Sequence, residues 1–226
     1  MKKILISLFF SVLYITSSSA DFGVNLGVSG QAGIFTASGQ EKNPTSSTTT
    51  GTGSEHGSAG WGSIFLEGTL NDKFLFGIDY VPMALETDTV ETQKTEGFTR
   101  GDDGTNTTAN AFGQNKIQVD FEDLTTLYAG YMINENFYVK AGITKVEIIT
   151  NESLATGSKY GDKSMDGSMF GLGYHVAKDN GVFFRFEGNY MSFDGASAVS
   201  QTNADRKIEL DNLDGVTGKL SIGKTF

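Results

Sequence analysis

Apolar and polar residues alternate along most of the chain with a period of two. Between Phe22 and Ile34 the even-numbered positions are apolar or small, and the odd-numbered positions are glycine, serine, asparagine or glutamine. Successive side chains of a β-strand point to opposite faces of the sheet. The pattern therefore predicts a strand with one apolar face and one face of small or polar side chains.

Seven further segments show the same alternation, which gives eight predicted strands in all. These segments cover residues 59–70, 74–83, 116–133, 137–150, 164–177, 182–194 and 205–226. The connections alternate between short and long. Short links with tight-turn residues lie at 71–73, 134–136 and 178–181. Long links rich in Gly, Ser, Thr, Asn and acidic residues lie at 37–58, 84–115, 151–163 and 195–204.

Short turns on one side and long loops on the other are the layout of an outer-membrane β-barrel, with the turns in the periplasm. The fold prediction is therefore all-β: an eight-stranded antiparallel transmembrane barrel over residues 21–226. A soluble β-sandwich is the alternative, because it also has seven or eight alternating strands. Its second face would carry many long charged side chains in water. Here that face is mostly Gly, Ser, Thr and Asn, which favours an enclosed interior.

The first twenty residues have the pattern of a secretory signal peptide. Lys2 and Lys3 precede an apolar run from Ile4 to Ile15, and the small residues Ser18-Ser19-Ala20 suit a cleavage site. We expect residues 1–20 to be removed and the barrel to reach the outer membrane of a Gram-negative bacterium.

Charge and cysteine content exclude several function classes. Without residues 1–20 the chain has 15 basic and 27 acidic residues, a net charge of −12. Binding to nucleic acid takes a basic face, so no nucleic-acid partner is expected. The absence of cysteine excludes disulfides, thiolate metal sites and a cysteine nucleophile. No phosphate-binding loop, HExxH zinc motif or dinucleotide fingerprint occurs, and we expect no cofactor and no metal.

If the apolar positions face lipid, a set of six charged residues falls on the inner face at similar depth. They are Glu67, Asp79, Lys140, Arg185, Glu187 and Lys219. Three acids and three bases can form a neutral network, whereas an isolated charge in a dry lumen would be very costly. We interpret them as lumen-filling groups, because eight strands leave little room inside. A gated polar core or a proton path is the alternative.

Aromatic residues mark the ends of the predicted lipid face, as in the girdles of membrane barrels. Those near the periplasmic ends are Phe22, Phe74, Tyr131, Phe137, Tyr174 and Phe226, and Tyr80 and Tyr190 lie further up. Lys145 and Glu147 share the outward parity. They are expected to stand above the bilayer, or else to follow a β-bulge.

With its signal peptide, three tight turns and closing strand Gly218–Phe226, the chain resembles the small eight-stranded outer-membrane barrels of the OmpA transmembrane-domain, OmpX and Opa type. In that family an alternating last strand with terminal Phe is read by the barrel-assembly machinery. The resemblance implies this role for Leu220, Ile222 and Phe226, although Lys224 interrupts the alternation. It also implies outer-membrane lipid and lipopolysaccharide as surroundings.

Some barrels of this size modify lipid A with a histidine, a serine and an acid at set spacings. Of the two histidines here, His56 lies in the first long link and His175 near a periplasmic end, and neither has such a spacing. We interpret His56 as a polar loop residue and His175 as an inward residue hydrogen-bonded to its neighbours. No catalytic residue is assigned.

Two function classes remain. The first is a structural or surface-interaction barrel whose loops bind an extracellular ligand. Within the second long link, Arg100-Gly101-Asp102 is a weak adhesion candidate, since such a tripeptide often arises by chance in a Gly- and Asp-rich loop. The second is a narrow porin-like channel for small solutes. The charged set favours the first. Small inward residues are compatible with the porin-like channel, because they leave space in the lumen: Gly23, Gly27, Gly171, Gly173 and Gly223. A lipid A-modifying enzyme is less favoured than either.

Overall fold

A computed structural model describes residues 21–43, 48–87, 89–98, 109–154, 159–202 and 206–226. The predicted signal peptide and the tripeptide Arg100-Gly101-Asp102 lie outside these ranges. No helix among the described residues is long and apolar enough to cross a membrane.

The described part of the chain is built from β-strands. They are β1 (Phe22–Asn43), β2 (Thr48–Leu70), β3 (Phe74–Tyr80), β4 (Leu85–Glu86), β5 (Val90–Phe98), β6 (Ala109–Met132), β7 (Phe137–Ser153), β8 (Lys163–Ala177), β9 (Val182–Phe193), β10 (Ala196–Val199) and β11 (Lys207–Thr225). Eight of them pair antiparallel in the order β1-β2-β3-β6-β7-β8-β9-β11, and β11 pairs with β1. This pairing closes the ring, so the predicted eight-stranded barrel is confirmed.

The three predicted tight turns lie at one end of the ring, where Leu70, Met132 and Ala177 end their strands. Asn71 and Asp72 have φ values of 53° and 54°, and Gly181 has a φ of 81°. Asn, Asp and Gly tolerate this left-handed region best, which is why these residues permit such short connections.

The predicted long loops are partly wrong, because much of them is strand. β1 and β2 stay paired as far as Asn43 and Thr48, within the predicted loop 37–58. Within 84–115, β5 pairs with β6 and β4 adds a short ladder, while β10 lies within 195–204. Where both faces of a strand contact water, the apolar and polar alternation is lost although the backbone pairing continues. Only 151–163 is close to its prediction, since β7 ends at Ser153 and β8 begins at Lys163.

The outer wall of the barrel carries an apolar belt. Large side chains such as Ile143, Ile34 and Val216 are 67%, 62% and 60% exposed. Near the turns, aromatic rings pair across strands, with centroid distances of 5.4 Å for Phe74–Tyr131 and 4.9 Å for Phe137–Tyr174. A closed ring whose apolar residues point outward fits lipid, and it excludes the soluble sandwich, in which apolar faces meet each other.

Lys145 and Glu147 remain on the outer wall, as the parity of β7 predicts. Both are exposed, and Lys145 Nζ lies 3.9 Å from Asp166 Oδ1 on β8. The bulge is in the neighbouring strand β6, between Glu122 and Thr125, where Asp123 has a φ of 52°. These charges therefore mark the level at which the outer wall becomes polar.

Candidate functional site in the barrel interior

The six predicted inner charges are all buried in the half of the barrel nearer the turns. Arg185 of β9 makes a two-pronged contact with Glu67 of β2: Nη1 donates to Oε2 at 2.8 Å and Nη2 to Oε1 at 2.7 Å. Glu67 also accepts from Asn25 Nδ2 at 2.7 Å and from the Tyr128 hydroxyl at 2.9 Å. This carboxylate, 1% exposed, thus has four donors. Such charge-assisted bonds offset its loss of water.

The other four charges form two further pairs. Lys140 Nζ of β7 donates to Glu187 Oε2 of β9 at 2.6 Å, and the Tyr138 hydroxyl donates to the other oxygen of Glu187. Lys219 of β11 donates to Asp79 of β3. None of the three pairs joins neighbouring strands of the ring. The three ion pairs therefore act as braces that connect non-neighbouring strands across the lumen. Strand parity alone does not predict which acid pairs with which base.

Inward aromatic rings fill the space beside inward glycines. Five rings each lie over the glycine directly paired with them on the next strand: Phe65 over Gly27, Phe183 over Gly223, Tyr138 over Gly173, Tyr128 over Gly77 and Phe35 over Gly215. A Cβ atom at Gly173 would overlap the Tyr138 ring, and one at Gly77 would come within 2.5 Å of Tyr128 Cζ. Gly173 and Gly77 thus make room for the two tyrosine rings, whose hydroxyls reach the buried carboxylates of Glu187 and Glu67.

The remaining small inward residues are covered as well. A Cβ at Gly23 would meet Thr69, and one at Gly171 would meet Asn189 and Lys140. The channel hypothesis depended on five small inward glycines. Beside each of them a neighbouring side chain fills the space.

The half of the interior nearer the loops is apolar, which corrects the prediction of a polar lumen throughout. Its buried cluster, here called the apolar plug, consists of Trp61, Val81, Leu124, Tyr128, Val146, Met165, Met169, Met191 and Phe193. At this level the outer wall carries charges such as Lys145, Glu147 and Asp166, which are exposed. A strand segment whose outer side contacts water needs an apolar inner side, as in a soluble barrel.

His175 is an inward residue hydrogen-bonded to its neighbour, as predicted, whereas His56 lies in strand β2, paired with Thr36, and not in a loop. His56 is exposed, with Nδ1 3.1 Å from Thr36 Oγ1. His175 Nδ1 accepts from Arg185 Nε at 3.1 Å, which assigns its ring proton to Nε2, and its ring packs 5.1 Å from that of Phe183. No three His, Cys, Asp or Glu residues in the described ranges are grouped to hold a metal ion.

Of the residues that the resemblance links to assembly, Leu220 and Ile222 lie on the outer wall of β11, and Phe226 follows its last residue, Thr225. Leu220, Ile222 and Phe226 are exposed, and Lys224 Nζ lies 5.3 Å from the centre of the Phe226 ring. Their role in assembly stays a prediction.

The closed ring, the apolar outer belt and the tight turns at one end define a transmembrane β-barrel of eight strands. No protein-family model matches the chain. No curated protein matches it either.

Similar solved structures are outer-membrane barrels. OprG from Pseudomonas aeruginosa has 15% identity and a TM-score of 0.48, over 89% of this chain and 95% of its own. Neisserial surface protein A has 12% identity and a TM-score of 0.37, over 92% and 100%. The attachment invasion locus protein Ail of Yersinia pestis, in complex with sucrose octasulfate, has 10% identity and a TM-score of 0.37, over 88% and 99%. The fold assignment rests on the strand ring itself.

Proposed function

We infer that the protein is a sealed outer-membrane barrel with a structural or surface-interaction role, exported by its signal peptide and without catalysis. The observation that carries this proposal is the pairing of all six inner charges across the lumen. Moving an ion through the barrel would require these braces to open, and an unpaired buried charge is very costly. The rings over glycines and the apolar plug close the remaining space.

The second support is the length of the strands beyond the membrane. A tilted strand crosses the bilayer in about 10 residues. β1 has 22 residues and β6 has 24. Their outer halves therefore project about 30 Å above the bilayer, at about 3.3 Å of rise per residue and a tilt near 40°. A paired, plugged extension of this height is a rigid support for the connections at its tip, where an extracellular ligand would bind.

The surroundings follow from this proposal. The outer belt contacts outer-membrane lipid and lipopolysaccharide, and the last strand, with Leu220 and Ile222 on its exposed outer face, is the segment that the barrel-assembly machinery recognises. Neither nucleic acid nor a cofactor takes part.

Conductance in planar lipid bilayers tests the seal. We expect the purified mature barrel to give no steady openings under conditions in which a large porin, inserted from the same detergent, conducts. Steady large openings would overturn the proposal and favour the porin-like alternative.

Lipid A analysis tests the absence of catalysis. We expect identical lipid A mass spectra from cells with and without the protein, because neither His56 nor His175 has the spacing of a lipid A-modifying site. A new acylated or deacylated lipid A species that depends on either histidine would show that the barrel is an enzyme.

A further inference from the structure

A cavity of about 450 Å³ lies at the loop end of the interior. Its lining comes from β1 and β2 on one side of the ring and from β7 and β8 on the opposite side, so it lies inside the mouth of the barrel. Three of its lining residues, Ile148, Ala196 and Leu210, also pack on the apolar plug. The plug is therefore its floor, and we call this cavity the vestibule.

An irregularity in β11 gives the vestibule its apolar wall. Ser38 pairs with Asn212 and Gly39 with Leu210, so Asp211 is left out of the register. Below this point the odd-numbered residues of β11 face inward, and above it the even-numbered residues do. Ile208 and Leu210 consequently line the vestibule, together with the buried Ala198. Without the shift, two acidic residues would take these positions.

The two acidic residues that line the vestibule, Glu41 and Glu209, are each paired with basic residues. Glu41 Oε1 lies 3.3 Å from Arg206 Nη1, and Glu209 lies 2.5 Å from Lys42 Nζ and 2.6 Å from Lys207 Nζ. The hydrogen bonds from Lys207 and Lys42 hold the pKa of Glu209 below its usual range.

Lys163 also lines the vestibule, and its side chain has no ion pair or hydrogen bond within the part of the chain that the structure describes. Both acids of the lining, Glu41 and Glu209, are thus paired with bases that lie outside it, and Lys163 is the lining charge left without a partner among the described residues. Glu55, the next acid along β2, is not a lining residue.

A second cavity, of about 490 Å³ and mostly polar, adjoins the vestibule through Thr150 and Tyr160. Lys116 and Lys159 line it. Lys116 is bound to Glu91, whereas the ammonium of Lys159 has no ion pair among the described residues. An apolar chamber thus opens beside a polar one, whose lining carries Lys116, Lys159 and the carboxylate of Glu152.

We propose that the vestibule binds a free single-chain amphiphile with an anionic head, taken up from the outside. The tail lies against Ile148, Ile208 and Leu210, and the head lies at Lys163, near the polar chamber. At about 30 Å³ for each carbon, close to the volume of one water molecule, a ten-carbon tail takes about 300 Å³ and fits. An apolar chamber with a few polar groups placed to fix orientation is the usual form of a small-molecule site.

A tryptophan placed in the lining reports binding: Ile208→Trp in a Trp61→Phe background carries the only indole of the chain in the vestibule. Titration of this nanodisc-embedded barrel with 10-bromodecanoate is expected to quench the indole fluorescence along a saturable curve. The neutral 10-bromodecanol and a cationic bromodecyl-trimethylammonium enter the same bilayer, and they are expected to give only weak, non-saturating quenching.

Two variants separate the vestibule from general partitioning. Gly53 lines it, and a Cβ atom there would meet nothing within 4 Å, so Gly53→Phe starts from an open position, places a ring in the chamber and is expected to abolish saturable quenching. Lys163→Glu is expected to weaken binding about three-fold, the size of effect that an exposed charge pair has. Lys178→Glu, an exposed change at a periplasmic turn, is the matched control and should bind like the wild type.

Equal quenching by the three probes, or wild-type binding by Gly53→Phe, would overturn the proposal. The result is independent of the conductance test, because a sealed barrel and a leaky one can each bind or fail to bind in the vestibule.

Discussion

Arg185→Ala is expected to lower the free energy of unfolding of the barrel by about 3–5 kcal/mol. The change leaves Glu67 buried without its cation, with only Asn25 and Tyr128 as donors. It also removes the donor to His175. Urea unfolding in lipid vesicles, followed by Trp61 fluorescence, measures the change, and the folded form should also lose heat resistance in detergent.

The matched double variant Glu67→Gln with Arg185→Met distinguishes a charge effect from a loss of packing. Replacing both partners of a buried pair by neutral groups of similar volume is often close to neutral, so this variant should recover most of the lost stability. Lys178→Ala, at the surface, should change stability by less than about 0.5 kcal/mol. An Arg185→Ala barrel with unchanged heat resistance would contradict the braced lumen.

Gly173→Val is expected to cost about 4 kcal/mol, the sum of overpacking and the loss of a hydrogen bond to a charged group. The valine would occupy the place of the Tyr138 ring and move its hydroxyl away from Glu187. The same urea titration measures the effect. Because the second change removes the overlapping ring, Gly173→Val with Tyr138→Ala should cost less than the two single changes added together.

Gly188→Val is the control for this prediction. Gly188 faces outward on β9, and a Cβ atom there would meet nothing within 4 Å. The control should leave stability nearly unchanged, because a valine in a strand facing lipid is well accommodated. If the two valine variants behaved alike, inward glycines would not be places reserved for rings.

The strand ring could be predicted because lipid imposes one requirement on every strand. The apolar residues of β1, such as Leu26 and Val28, must point outward at each second position, and Asn71-Asp72 and Gly181 permit only short connections. Strand ends could not be predicted. Beyond the bilayer, segments such as residues 52–57 contact water and have no alternation of apolar and polar side chains, so the sequence pattern does not reveal their pairing with β1.

The inner charges were found by parity alone, but their partners were not. Which side chains meet across a barrel depends on the stagger between strands, and the alternation of residues along one strand carries no information about that stagger. Glu67 therefore meets Arg185, 118 residues away. The apolar plug was missed although it has a signal: Trp61, Met165 and Met169 share the parity of the charged set and recur toward the loop ends of their strands.

The change in polarity of the outer wall along β7 sets the depth of the protein in the bilayer. Ile143 faces the hydrocarbon, and Lys145, two residues further along β7, faces water. Moving the barrel inward by two residues, about 5 Å, would bring Lys145 and its partner Asp166 toward the hydrocarbon. Moving it outward by the same distance would expose Ile143 to water. The vestibule is thereby held at a set height above the lipid surface, where molecules diffusing outside the cell can enter it.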